Sequence, residues 1–194
     1  MITQVQKRKA DYPIADIFLN RWSPRSFLEK EVPEELLMSV FEAARWAPSA
    51  NNRQPWYFIV ARTKEEKEKF YQFINEGNLQ WCKKAPVLAL LISKRRNENG
   101  ENRYHAFDAG TCWGFLALQA VKNGLITHPM GGINREKARD LLNIPDDFDI
   151  HIVIAIGYQG EKEDLPEAFQ DRELPNDRRP LKDSLFQGTF GKSF

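Results

Sequence analysis

Cysteine is nearly absent from this 194-residue chain. Cys82 and Cys112 form no CxxC pair, so neither a disulfide framework nor a cysteine zinc site is expected, and both read as free thiols of a reducing, cytoplasmic compartment. Histidine is scarce too: His105, His128 and His151 lack HExxH spacing, which leaves no metal site to propose. The glycines fall into neither GxGxxG nor GxxxxGK[ST], and Ser49 has no GxSxG context, so the dinucleotide, P-loop and hydrolase fingerprints all fail. Long apolar runs are missing. The longest, around Val87–Ile92, is far short of the roughly 20 residues of a membrane-spanning helix, and no secretory leader precedes it. Charge of one sign is missing as well: 28 basic residues face 27 acidic ones, so nothing calls for nucleic acid. A membrane partner is not expected either.

What is there suffices for one domain spanning 1–194, with 42% apolar residues to build a core. After a charged start, Ile14, Ile17 and Phe18 suggest a short amphipathic helix ending near Asn20. Pro33 opens a second helix, with Glu34 and Glu35 at its positive end and Leu36, Leu37, Val40, Phe41 and Ala44 as its apolar stripe, and Pro48 stops it. Trp56–Ala61 reads as a strand, Lys64–Asn75 as one helix, and Pro86–Ser93 as a strand apolar at successive positions, hence covered on both faces. Lys94–Asn102 is a solvated loop. Arg103–Asn123 is a long helix, apolar around most of its circumference and capped by Gly124. Asn134 caps a helix ending near Leu142, and Ile150–Gly157 is the last strand. The remaining stretch, 158–194, is rich in proline and charge, yet Leu174, Leu181, Leu185, Phe186, Phe190 and Phe194 are more apolar than a solvating tail needs. It reads as an arm seeking cover on another subunit.

Three constellations could carry chemistry. Arg21, Ser23 and Arg25 alternate along an extended stretch, so two guanidinium groups and a hydroxyl can converge on one anion, a monoester phosphate above all. The same pattern also reads as a solvated basic segment. Pro48, Ser49, Ala50, Asn51, Asn52 and Gln54 offer small residues and amides, suited to the hydrogen-bonding edge of a flavin or a nucleobase; an ordinary Asx turn is the other reading. His128–Gly132, HPMGG, ends in a glycine pair that can free backbone N–H groups for a ligand or simply make a tight turn.

Taken in order, RWSPRSF, AARWAPSANNRQPWYFIVA, DAGTCWGFLALQAVKNGL, HPMGG and NDRRPL resemble the nitroreductase family of flavin enzymes over nearly the whole chain. The resemblance implies an α+β fold, an α/β/α sandwich with a mixed central sheet flanked by helices. It also implies an FMN-binding homodimer whose C-terminal arm crosses onto the partner. It puts Arg21, Ser23 and Arg25 on the phosphate side of FMN, with Arg178 joining from the partner's tail; Trp22 counts with the cofactor-binding residues as a tryptophan that could line a ring pocket. Pro48, Ser49, Ala50 and Asn52 would lie against the flavin, Asn78 near its pyrimidine edge, and Pro129, Met130, Gly131 and Gly132 over the ring's other side. The implied activity is hydride passage from NAD(P)H through FMN to a nitroaromatic, a quinone or a similar small acceptor, with no catalytic side chain required. A flavin-binding protein without nicotinamide turnover is the alternative. The short Lys94–Asn102 loop predicts an open pocket without a helical lid.

Overall fold

The computed structural model describes residues 8–98 and 100–194; the charged start, 1–7, and one position of the Lys94–Asn102 loop lie outside the described residues. Four strands make the main sheet: β1 (Trp56–Ala61), β2 (Val87–Lys94), β5 (Ile126–Met130) and β6 (Phe148–Gly157), in the order β1-β2-β6-β5. All three pairings are antiparallel. The expected mixed sheet is therefore corrected to an antiparallel one within the chain. Continuous apolarity reports cover on both faces, and a doubly covered strand reads alike whichever way its neighbours run.

That double cover is visible in β2. Leu88, Leu90 and Ile92 face one core with Phe70, Phe73, Trp81, Ile133 and Val153, while Val87, Ala89 and Leu91 face the other with Leu37, Val40, Ala44, Cys112 and Leu116. The second core is roofed by α2 (Glu34–Arg45) and α5 (His105–Lys122), which pack on each other. The first is roofed by α3 (Lys64–Tyr71), α4 (Glu76–Cys82) and α6 (Arg135–Leu142). Cys82 and Cys112 are buried in opposite cores, where desolvation pushes both thiols up to about 12. They pack as small apolar groups.

The helices follow local rules. Thr63 and Glu66 form a reciprocal capping box for α3, and the Asn134 side chain accepts from Lys137 N at 3.0 Å to start α6. Gly124, at φ +73°, closes α5: Gly124 N donates to Val121 O and Leu125 N to Ala120 O, the paired bonds of a left-handed helix end.

The helix expected over Lys64–Asn75 ends at Tyr71, and a separate helix, α4, begins only at Glu76. Asn75 N donates to Gly132 O at 3.0 Å and Asn134 N to Phe73 O at 2.7 Å, around an Ile74–Ile133 bridge. Phe73 N and Ile74 N still bond back to Phe70 O, but Phe73 O and Asn75 N bond across space instead of along a helix. The Lys94–Asn102 loop carries a small hairpin, β3 (Arg96–Asn97) and β4 (Gly100–Glu101), and no helix. Near the start lies the short α1 (Asp16–Asn20), without buried residues.

Beyond β6 the chain is ordered but extended, with one short helix, α7 (Glu167–Gln170). Leu165 and Glu173 are buried there, whereas Phe190 and Phe194 are 93% and 83% exposed. Among the described residues no helix is long and apolar enough to cross a membrane.

Candidate functional site

The stretch after α1 runs extended past the edge of the sheet, held by Leu28 N to Tyr158 O and Gly160 N to Ser26 O, each 3.0 Å. Alternation then puts Arg21 and Ser23 on one side: Arg21 Nη1 lies 3.3 Å from Ser23 Oγ. Both line a cavity of about 260 Å³ together with Arg8, Trp22, Arg25, His128, Arg172, Leu174, Asn176 and Arg178. Five of these ten are arginines, and none is a carboxylate.

The charges in this cradle are poorly neutralised. Arg21 is held below its ordinary value, first by burial and then by the positive charges of Arg178 and Arg8. Arg8 is lowered likewise by burial and Arg178, against an opposing pull from Asp177. Arg8 Nη1 is spent on Leu19 O and Arg21 O, while its buried Nε has no hydrogen-bond partner among the described residues. An anion would relieve all of these at once.

Arg178 reaches the cavity from the same chain as Arg21, which corrects the expectation that a partner's tail supplies it. The 172–178 segment folds back on residues 25–26 through Glu173, whose Oε1 accepts from Arg25 N and Ser26 N. Arg8, Arg172 and Glu173 carry no signal as site residues in the sequence, and His128 stands out there only as the first residue of HPMGG. Nothing in a charged start or a charged tail distinguishes the residue that folds back from its solvated neighbours.

His128 joins the cradle to the HPMGG stretch. Its ring rests on Trp81, with centroids 4.4 Å apart, its Nδ1 lies 2.9 Å from Pro24 O, and burial pulls its pKa down to about 4. The imidazole is therefore neutral at pH 7 and adds no sixth charge. Pro129 follows it on β5. Met130 is a partial correction, because its side chain is buried in the core and only its backbone can face a ring.

The two glycines differ. A Cβ on Gly132 would meet Asn78 Nδ2 at 3.0 Å and Asn75 Nδ2 at 3.2 Å, so any side chain there would have to push these two amides back. A Cβ on Gly131 would meet nothing within 4 Å; glycine there leaves open room beside the strand end. Asn78 Nδ2 also bonds Gly132 O at 3.4 Å, which keeps the α4 amides next to this turn.

Pro48, Ser49, Ala50 and Asn52 lie elsewhere. They lead into β1, at the opposite edge of the sheet from β5. Neighbouring strands are spaced about 4.8 Å apart, so three steps separate the two edges by roughly 14 Å. The loop is strained and self-bonded. Asn51, Asn52 and Gln54 all have positive φ, of 51°, 55° and 47°, a costly arrangement without glycine. Ser49 Oγ accepts from Gln54 N at 3.0 Å, Gln54 Nε2 donates to Asn52 O and Oδ1, and the buried Asp108 carboxylate accepts from Ala50 N at 3.2 and 3.3 Å. Ser49 Oγ thus gives the loop one acceptor, and Asp108, unforeseen from the sequence, braces the loop from α5.

A family model described as "Nitroreductase family" matches residues 19–80 and 73–158. An NADH dehydrogenase of Thermus thermophilus is 28% identical over 207 residues, covering 88% of this chain and 97% of that protein. An iodotyrosine deiodinase of Thermotoga neapolitana is 25% identical over 74% of this chain and 87% of its own length. Among solved structures, an oxidoreductase containing FMN superposes with a TM-score of 0.92 at 40% identity, over 98% of this chain and 100% of that one. Fold and site together thus define an oxidoreductase with an anion cradle beside an open strand end. The chain belongs to the nitroreductase family.

Proposed function

We propose that the chain binds FMN and uses it to pass hydride from NAD(P)H to a small acceptor of the nitroaromatic or quinone class. The observation that carries this is the cradle: five arginines around one cavity, Arg21 and Arg8 held below their ordinary value by burial and then by their like-charged neighbours, and no carboxylate among the described lining residues. A phosphate monoester fits that set, since guanidinium groups bind it bidentately and stay charged. The open space at Gly131, one strand end away, suits a flat ring. The FMN-containing relative supports the same assignment.

On this reading Arg21, Ser23, Arg25 and Arg178 hold the phosphate, with Arg8 and Arg172 closing the cradle. Trp22 and the neutral His128 flank the chain that joins phosphate to ring, and Pro129, the Met130 backbone, Gly131, Gly132 and Asn78 border the ring. When bound, FMN supplies hydride acceptance and donation. The protein's own residues orient, neutralise and exclude water; no side chain is needed as acid or base.

The Pro48–Gln54 loop lies too far across the sheet to wall the same ring from the same chain. We infer that it walls the ring held by a second copy, so that each site in a homodimer joins one chain's cradle to the other's loop. Exposed apolar groups supply a surface for that pairing: Phe107 and Phe115 on α5, Trp46 after α2, and Phe190 and Phe194 in the arm.

The test is anaerobic. Purified protein should be yellow, release FMN on denaturation, and lose its colour on addition of NADH or NADPH, regaining it when a quinone or nitroaromatic follows. Yellow protein that neither nicotinamide bleaches would leave a flavin-binding protein and refute the enzyme.

A further inference from the structure

One buried carboxylate stands directly behind the arginines and faces none of the cavity. Glu173 has a side chain only 2% exposed. Its Oε1 accepts from Arg25 N at 2.7 Å and from Ser26 N at 2.9 Å. Its Oε2 has no hydrogen-bond partner and lies 3.9 Å from Arg25 Nη1. The next residue back, Arg172, offers its carbonyl to Arg25 Nη1 at 3.5 Å.

These contacts join two segments that are far apart in sequence. Residues 21–25 supply one wall of the cavity, and residues 172–178 supply the facing wall with Arg172 and Arg178. Other bonds tie residues 26–28 to 158–161: Ser26 Oγ donates to Glu161 O at 2.5 Å, and a bridge links Phe27 to Gln159. Those hold the chain before α7. Glu173 holds it after α7, next to the arginines themselves.

We propose, on the reading that the cradle takes the FMN phosphate, that Glu173 is a positioning residue: its carboxylate latches the C-terminal segment to Arg25 and Ser26 and so sets Arg172 and Arg178 opposite Arg21. The latch has a cost that a purely structural residue would avoid. Burial pushes the Glu173 carboxyl up from its ordinary range, against the backbone N–H groups and Arg25, which pull it down. A carboxyl raised in the folded state gives stability that is present at low pH and lost as pH rises through its folded value. What the group supplies in return is one oxygen, Oε1, that two adjacent backbone N–H groups share.

The experiment compares the native protein with Glu173→Ala and Glu173→Gln, titrating each with FMN and with riboflavin, which lacks the phosphate. The native protein should prefer FMN. Glu173→Ala should weaken FMN binding by about tenfold while leaving riboflavin unchanged, as expected for a lost charge-assisted bond. Glu173→Gln, whose amide oxygen can accept the same two N–H groups, should stay within about threefold of native for FMN. A second measurement needs no variant: in the native protein, FMN should slow amide hydrogen exchange at Arg25 and Ser26 and across 172–178 together. The proposal is overturned if Glu173→Ala holds FMN like native, if it loses FMN and riboflavin in equal proportion, or if FMN protects Arg25 without protecting 172–178. Native protein that binds both flavins equally would instead overturn the phosphate reading on which the proposal rests, through a different arm of the test.

Discussion

The arginine cradle and the Pro48–Gln54 loop are built on opposite plans. The cradle gathers residues from three distant parts of the chain, leaves like charges facing one another and leaves the buried Arg8 Nε without a partner among the described residues. The loop gathers neighbours, satisfies its own polar groups through Ser49, Asn52 and Gln54, and stores its strain in three positive φ values braced by Asp108. The first is unfinished without an anion. The second is held in advance by its own bonds and, on the proposed function, offers a ring a wall that needs little reordering.

The largest test of that contrast removes charge from the cradle. Arg21→Ala with Arg178→Ala should weaken FMN binding by about 3–6 kcal/mol, at about 1.5–3 kcal/mol for each charge-assisted bond. The melting temperature should hold steady, because two mutually repelling charges have gone. Fluorescence titration and calorimetry read the two effects separately. A large loss of stability with unchanged FMN affinity would reverse the contrast.

His128 gives the next effect. Its pKa falls from 6.5 to about 4 on folding, chiefly through burial, so the unfolded chain binds the proton more readily between those values. Stability is then fully present above pH 6.5 and declines as pH falls toward 4, by on the order of 3 kcal/mol at 1.36 kcal/mol per pKa unit. Urea unfolding at pH 7 and pH 5 should show the decline, and His128→Gln should flatten it. An unchanged slope in the variant would move the effect elsewhere.

The smallest effect belongs to the loop. Asp108→Ala leaves Ala50 N without its acceptor and should cost about 1–3 kcal/mol of stability, with Asp108→Asn recovering part. Mixing this variant with the Arg21, Arg178 double variant should restore FMN binding in mixed dimers, where one native cradle meets one native loop. Failure to complement, with each variant folded, would place both regions in one chain's site and break the comparison.

Much of this was legible in the residues. The strand at Trp56–Ala61 matches expectation at both ends, and Pro33, Gly124 and Asn134 mark helix ends where the structure has them, because capping and proline geometry are decided by neighbours. The early end of the Lys64–Asn75 helix at Tyr71 is not legible in the sequence, since Phe73 O and Asn75 N find their partners at residues 134 and 132. The hairpin in the Lys94–Asn102 loop was missed for a similar reason: Arg95 N is held by Asp147 O.

By itself the sequence determined what depends on adjacent residues: the alternation that puts Arg21 and Ser23 on one side, the apolar runs that demand cover on both faces, and the turn residues of the two loops. Only the tertiary structure decided which of many charged residues meet. Arg8, Arg172 and Arg178 look like any solvated arginine until the chain folds back, and Glu173 looks like any surface glutamate until it is buried against Arg25 and Ser26. Periodicity and capping act over a few residues, whereas the field at a cradle is a sum over whatever the fold brings within a few ångströms.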